Sequence, residues 1–104
     1  MDYNYLMGDD IMRKKVSRWE DGDSGLFSDG TRFRLARYGA PEKNQFGYET
    51  ATRRAAGMTG TTRGFVNVKP IARDRHGRLL VEMSNKNGSI NNRLIKRGKR
   101  YRGR

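Results

Sequence analysis

From Thr31 to Ala36 the chain alternates, with Phe33 and Leu35 on one side and Arg32, Arg34 and Ala36 on the other. A period of two predicts a strand with one buried face. The pattern stops at Gly39-Ala40-Pro41, where glycine loosens the backbone and proline fixes it. Upstream, Ile11 to Trp19 sets Met12, Val16 and Trp19 as apolar points on a basic ground, read as a further strand. Asp21-Gly22 is a hairpin signal, Leu26-Phe27 a short strand and Ser28-Asp29-Gly30 a second tight turn, so a three-stranded meander is expected here. Downstream, Phe65 to Val68 alternates and continues toward Ile71. After a turn at Asp74–Gly77, Arg78 to Met83 sets Leu80 and Glu82 against Leu79, Val81 and Met83, and Asn87-Gly88 turns the chain again.

Two stretches change period. Tyr48 to Ala56 is alanine-rich and free of proline and glycine, with Tyr48, Ala51, Ala55 and Met58 three to four apart, which predicts a helix stopped by Gly57. Thr59 to Thr62 reads as a linker. Ile90 to Arg97 predicts a short helix with Ile90, Leu94 and Ile95 inside and Gly98 as its stop. The expected organisation is a flexible leader over 1–10, one domain over 11–98 and a basic tail over 99–104. The expected fold is mainly β with α: a five-stranded OB-fold-like Greek-key barrel with one central helix and one short C-terminal helix. A half-open α+β sheet is the alternative.

At 104 residues and 34% hydrophobic content the core must be modest, which suits a small barrel. The absence of cysteine excludes disulfides and thiolate metal sites. A single histidine, His76, leaves one candidate for imidazole chemistry, placed in a turn where exposure is the expected state. No basic segment followed by a long apolar run opens the chain, and no stretch could span a membrane, so a cytoplasmic protein without a membrane partner is expected. Charge sharpens the picture most. Twenty-three Lys and Arg against 11 Asp and Glu give +12, a balance that points to a polyanion partner, DNA or RNA.

Among the few acids, Glu20, Asp21 and Asp23 cluster on one turn. Hard cations take carboxylate oxygens, though aspartate in D-G-D is equally turn chemistry. Arg34 lies mid-strand and Arg78 follows a turn; each guanidinium can donate two parallel hydrogen bonds to phosphate and stabilise charge that develops on it. Either could also be an ordinary surface charge. Glu42, just past Pro41, is a candidate general base for water or a cap on the loop. Trp19, Tyr38, Tyr48 and Tyr101 are candidates for stacking on bases, with core packing the expected role of Trp19 and Tyr48. The last ten residues carry six basic side chains; Lys96, Arg97, Lys99, Arg100 and Arg102 are candidate phosphate contacts whose grip would weaken with salt.

DGDS at 21–24, RFRLARYGAPE at 32–42, FGYETA at 46–51, DRHGR at 74–78 and the NxxLIKRG ending at 91–98 follow in the order of a thermonuclease, or staphylococcal-nuclease-like, domain. The chain resembles that family over roughly residues 16 to 100. The resemblance implies an OB barrel that hydrolyses phosphodiesters of DNA and RNA, usually with Ca²⁺. It implies that Asp23 binds the metal, that the Ala40 backbone carbonyl helps to hold it, that Arg34 and Arg78 grip phosphate and that Glu42 orients or activates water. The family's second metal-binding aspartate falls at Gly39, with Asp21 as the candidate substitute. Arg37 and Tyr38 also depart from the small and aliphatic residues usual there, and an inward Arg37 would weaken a cation further. A nuclease-like hydrolase, weakened at Gly39, is therefore expected. The alternative is a catalytically inactive nucleic-acid-binding OB-fold module.

Overall fold

A computed structural model describes residues 3–5 and 10–102, with side chains over 10–97. Its strands are β1 (Tyr3–Tyr5), β2 (Met12–Asp21), β3 (Ser24–Phe27), β4 (Arg32–Leu35), β5 (Phe65–Asp74), β6 (Leu79–Asn85) and β7 (Gly88–Ser89). Helix α1 (Tyr48–Gly60) separates β4 from β5, and α2 (Ile90–Arg102) follows β7. Strands β2, β3, β4, β6 and β5 hydrogen-bond in that cyclic order, because β5 pairs with both β2 and β6. The result is a closed five-stranded, OB-fold-like barrel with two helices. Closure passes through one parallel pair, β4 with β6, in which Phe33 faces Leu79, Arg34 faces Leu80 and Leu35 faces Val81.

The alternation read from the sequence is the physical basis of the barrel. Phe33, Leu35, Val66, Val68, Leu79, Val81 and Met83 point inward and are buried. Phe27 and Phe33 stack at 4.5 Å, and Trp19 meets the edge of Phe33 at 5.0 Å. Helix α1 supplies Ala55 and Met58 to this core, while α2 supplies Ile90 and Leu94. Full burial of a side chain the size of Leu94 is worth roughly 2 kcal/mol.

Three boundaries differ from the sequence expectation. Helix α1 does not stop at Gly57 but runs to Gly60, so Thr59 belongs to a helix rather than a linker. Gly57 lies on the open side of the helix, where a glycine costs about 1 kcal/mol, and the buried Met58 and Thr59 next to it supply the compensating contacts. Likewise α2 passes through Gly98 and continues to Arg102. Within the stretch expected to be a loose leader, Tyr3–Tyr5 pairs antiparallel with Ala72–Asp74 of β5.

Asn91 is the polar residue that the apolar pattern does not predict inside. It is fully buried on α2, where its Nδ2 donates to the carbonyls of Ala36 and Val81, both at 3.0 Å. Its Oδ1 accepts the Met83 N–H at 2.8 Å. One side chain thus ties α2 to the end of β4 and to β6, and its amide is satisfied as a buried polar group must be.

Candidate phosphate-handling site

The site begins with a turn packed too tightly for any residue but glycine. A Cβ at Gly22 would lie 2.7 Å from the Ala40 Cβ and 2.9 Å from that of Ala51. The 21–24 turn, the 39–42 loop and α1 are therefore pressed together. Asp21 organises the turn: its Oδ1 accepts from the Asp23 N–H at 3.1 Å and from the Ser24 hydroxyl at 2.8 Å. Asp23 is buried and reaches outward from the turn to the loop, its Oδ2 accepting the Ala40 N–H at 2.9 Å. The same oxygen lies 3.4 Å from Arg34 Nη2. Arg34 Nη1 donates to the carbonyls of Leu35 at 2.9 Å and Tyr38 at 3.4 Å.

Burial is the main force on Asp23 and, with the hydrogen bond to the Asp21 carboxyl, pushes its pKa up to about 6. The Ala40 N–H and the Arg34 charge pull against that rise without cancelling it. Burial also acts upward on Asp21, yet its hydrogen bonds to Asp23 and Ser24 win and hold it below the ordinary carboxylate value.

Arg78 is fixed separately. Its Nε donates to Asp74 Oδ2 at 2.8 Å, and Asp74 Oδ1 accepts the N–H groups of His76 and Arg78, each at 2.9 Å. The β4–β6 register places Arg34 beside Leu80, and Arg78 lies two residues earlier, immediately before β6. Strand spacing and rise separate the two backbones by roughly 8 Å, a gap that long side chains from both can close around one phosphate.

The other sequence candidates fall in different places. Glu42 is exposed; its N–H donates to Gln45 Oε1 at 2.6 Å, and its carboxylate makes no hydrogen bond or ion pair with Asp23, Arg34 or Arg78. Tyr38 packs against the core rather than standing free. Arg37 does not turn toward Asp23. It adopts a left-handed backbone (φ 65) and forms a two-pronged pair with Glu82 at 2.7 and 2.8 Å, with Asn92 Oδ1 accepting at 2.7 Å. His76 is exposed. Lys96 and Arg97 are exposed on α2, while the side chains of Lys99, Arg100 and Arg102 lie outside the described residues.

The donor set is poor for the Ca²⁺ that the resemblance implies. Asp23 spends Oδ2 on Ala40 and Arg34, Asp21 spends Oδ1 on its own turn, and it is the Ala40 N–H that meets Asp23. What the two carboxylates have left, with a backbone carbonyl, falls short of the roughly six to eight oxygens Ca²⁺ takes. Among the described residues no three His, Cys, Asp or Glu side chains form a metal-holding group. These residues do not fit a firmly held hard cation. Gly39 leaves the space open: a Cβ there would meet only Arg34 Nη2, at 3.9 Å.

Sequence reasoning did not find the arrangement that secures Arg78 or the clamp that diverts Arg37. The first had a usable signal, since Asp74 opens the four-residue turn that Arg78 follows. The second joins residues 45 and 55 apart and had none. No helix among the described residues is long and apolar enough to cross a membrane. No family model and no curated protein matches the chain.

Proposed function

We propose that this chain is a nuclease-like phosphodiester hydrolase acting on DNA or RNA, with its hydrolytic power reduced. The observation that carries the reading is the convergence of Asp23, Arg34 and Ala40 from three separate segments into one corner, with Arg78 fixed by Asp74 just before the neighbouring strand β6. Arg34 is about three-tenths exposed and Arg78 similarly so, leaving guanidinium edges open to a phosphate. Two such groups offset the charge that builds on phosphorus as water adds and an alkoxide leaves. Glu42, on the loop anchored by Ala40, is the group assigned to take the water's proton. The +12 charge supplies long-range attraction for the substrate.

A second reading, a barrel that binds nucleic acid without cleaving it, is favoured by two specific features. They are the Glu42 carboxylate, which engages neither Asp23, Arg34 nor Arg78, and the incomplete cation donor set around Asp23. A cleavage assay on single-stranded DNA and RNA separates the two, run with Ca²⁺, with Mg²⁺ or Mn²⁺, and with chelator. Cleavage by the native chain that falls at least about a hundredfold in Arg34→Ala supports the hydrolase. Activity only in Gly39→Asp, where the new side chain has room, identifies a disarmed nuclease that binds. Cleavage unchanged in Arg34→Ala and Arg78→Ala removes the assignment altogether.

A further inference from the structure

A groove of about 680 Å³ runs between α1 and β2, lined by Trp19 and Tyr48 and flanked by Arg18, Arg53 and Arg63. We infer that this groove is a nucleotide subsite, holding a base against its aromatic wall and the neighbouring phosphates on its arginines. The inference rests on the nucleic-acid reading above and extends it to a surface that the Asp23–Arg34 corner does not include.

The aromatic residues have already used their polar ends. Trp19 Nε1 donates to Thr59 Oγ1 at 3.0 Å, and the Tyr48 hydroxyl donates to the Glu20 carbonyl at 2.7 Å. What they present to the groove is ring surface, suited to stacking on any base rather than to reading one by hydrogen bonds. Trp19 is further held by the edge contact with Phe33, so little ordering is required when a base arrives.

The charge around the groove suits a phosphate chain. Three arginines face one carboxylate, Glu49. Arg18 lies 3.6 Å from Glu20, a loose exposed contact. Arg53 and Arg63 make no side-chain hydrogen bond or ion pair among the described residues. Arg63 sits at φ 56, where glycine or asparagine is easier to accommodate. The turn holds it there: the Arg63 N–H donates to the Gly60 carbonyl at 3.0 Å and the Gly64 N–H to the Thr59 carbonyl at 2.9 Å. A Cβ on Gly64 would strike the Val16 carbonyl at 2.9 Å, so this turn is pressed onto β2 and displays Arg63 at the end of the groove.

The groove also leads to the candidate site. Trp19 and Glu20 run directly into the Asp21–Asp23 turn, and Ala51 of α1 backs onto Gly22. A single strand lying along α1 would therefore reach the Asp23–Arg34 corner without leaving the surface.

Trp19 is the only tryptophan, so its emission reports on the groove. The probe is oligothymidylate of eight nucleotides, followed by Trp19 fluorescence and, with an end-labelled copy, by anisotropy. The expected result is saturable quenching of Trp19 at the midpoint seen by anisotropy. Arg53→Glu with Arg63→Glu should raise both midpoints roughly tenfold or more and flatten the log–log salt dependence by about 1.4. The milder Arg53→Gln, Arg63→Gln pair guards against misfolding and should move both in the same direction. Anisotropy binding without a Trp19 response, or midpoints and salt slope unchanged in both double variants, would overturn the groove while leaving nucleic-acid binding intact. No anisotropy change at low salt would overturn the nucleic-acid reading and the groove with it.

Discussion

Asp23 and Asp74 each expose little surface and each faces an arginine, but Asp23 lies deeper in the protein and their carboxyls are displaced in opposite directions. Burial acts upward on both. At Asp74 it is overcome by hydrogen bonds from the Arg78 backbone and side chain and the His76 backbone, helped by the Arg78 charge. At Asp23 there is one backbone donor, an arginine at 3.4 Å and a neighbouring aspartate, and burial prevails. The difference teaches that depth and donors decide together: the deeper Asp23 has one backbone donor against its burial, whereas the shallower Asp74 has three converging N–H donors. Asp74 is a finished structural joint, whereas Asp23 is held short of satisfaction at the corner assigned to phosphate.

The largest effect expected from this contrast is at Asp74. Asp74→Ala should cost about 3 kcal/mol in urea unfolding, because Arg78 and two turn N–H groups lose their acceptor together. A loss no greater than that of Asp23→Ala would break the comparison.

The pH dependence comes next. Because the folded pKa of Asp23 is raised from 3.8 to about 6, its contribution is fully present below pH 4 and is lost as pH rises through 6. The stability of the native chain relative to Asp23→Asn should therefore fall between pH 4 and pH 7, by at most about 3 kcal/mol. Asp74 has the opposite sign: its lowered pKa gives stability present above pH 4 and lost on further acidification. Urea titrations of the native chain, Asp23→Asn and Asp74→Asn across this range would separate the two slopes. A flat difference for Asp23 would show that its burial is relieved in solution.

The smallest effect belongs to the exposed pair of Arg37 and Glu82. Arg37→Ala should cost about 1 kcal/mol or less despite two short hydrogen bonds, since solvent competes for both partners. Arg37→Gly should cost less than Arg37→Ala, because glycine adopts φ 65 without strain. Equal losses in thermal melts would mean that the left-handed backbone carries no penalty here.

Much of the barrel was legible because its strands obey a period of two. Phe33 and Leu35, then Leu79, Val81 and Met83, announce their inward faces without reference to any partner. Helix ends were harder. Gly57 and Gly98 carry the local mark of a stop, but a helix continues when residues beyond the glycine find packing, as Met58 and Thr59 do. The arginines of the candidate site could be named from their strand and turn positions. Their partners could not be named with equal ease, since Asp23 finds Ala40 through a loop closure and Arg37 finds Glu82 on the neighbouring strand β6, far away in sequence. The groove was invisible as a unit: Trp19, Tyr48, Arg53 and Arg63 come together only once α1 lies against β2.

Asn91 has a consequence for how the chain is made. A ribosome releases the polypeptide from its N-terminus, so β2 through β6 emerge before the residue that bridges Ala36, Val81 and Met83. Until then the Ala36 carbonyl and the Met83 N–H lack this partner, and the Val81 carbonyl holds only the Ala36 N–H. Completion of the barrel's seam is thereby coupled to the synthesis of α2, and a chain halted before it would leave that seam open.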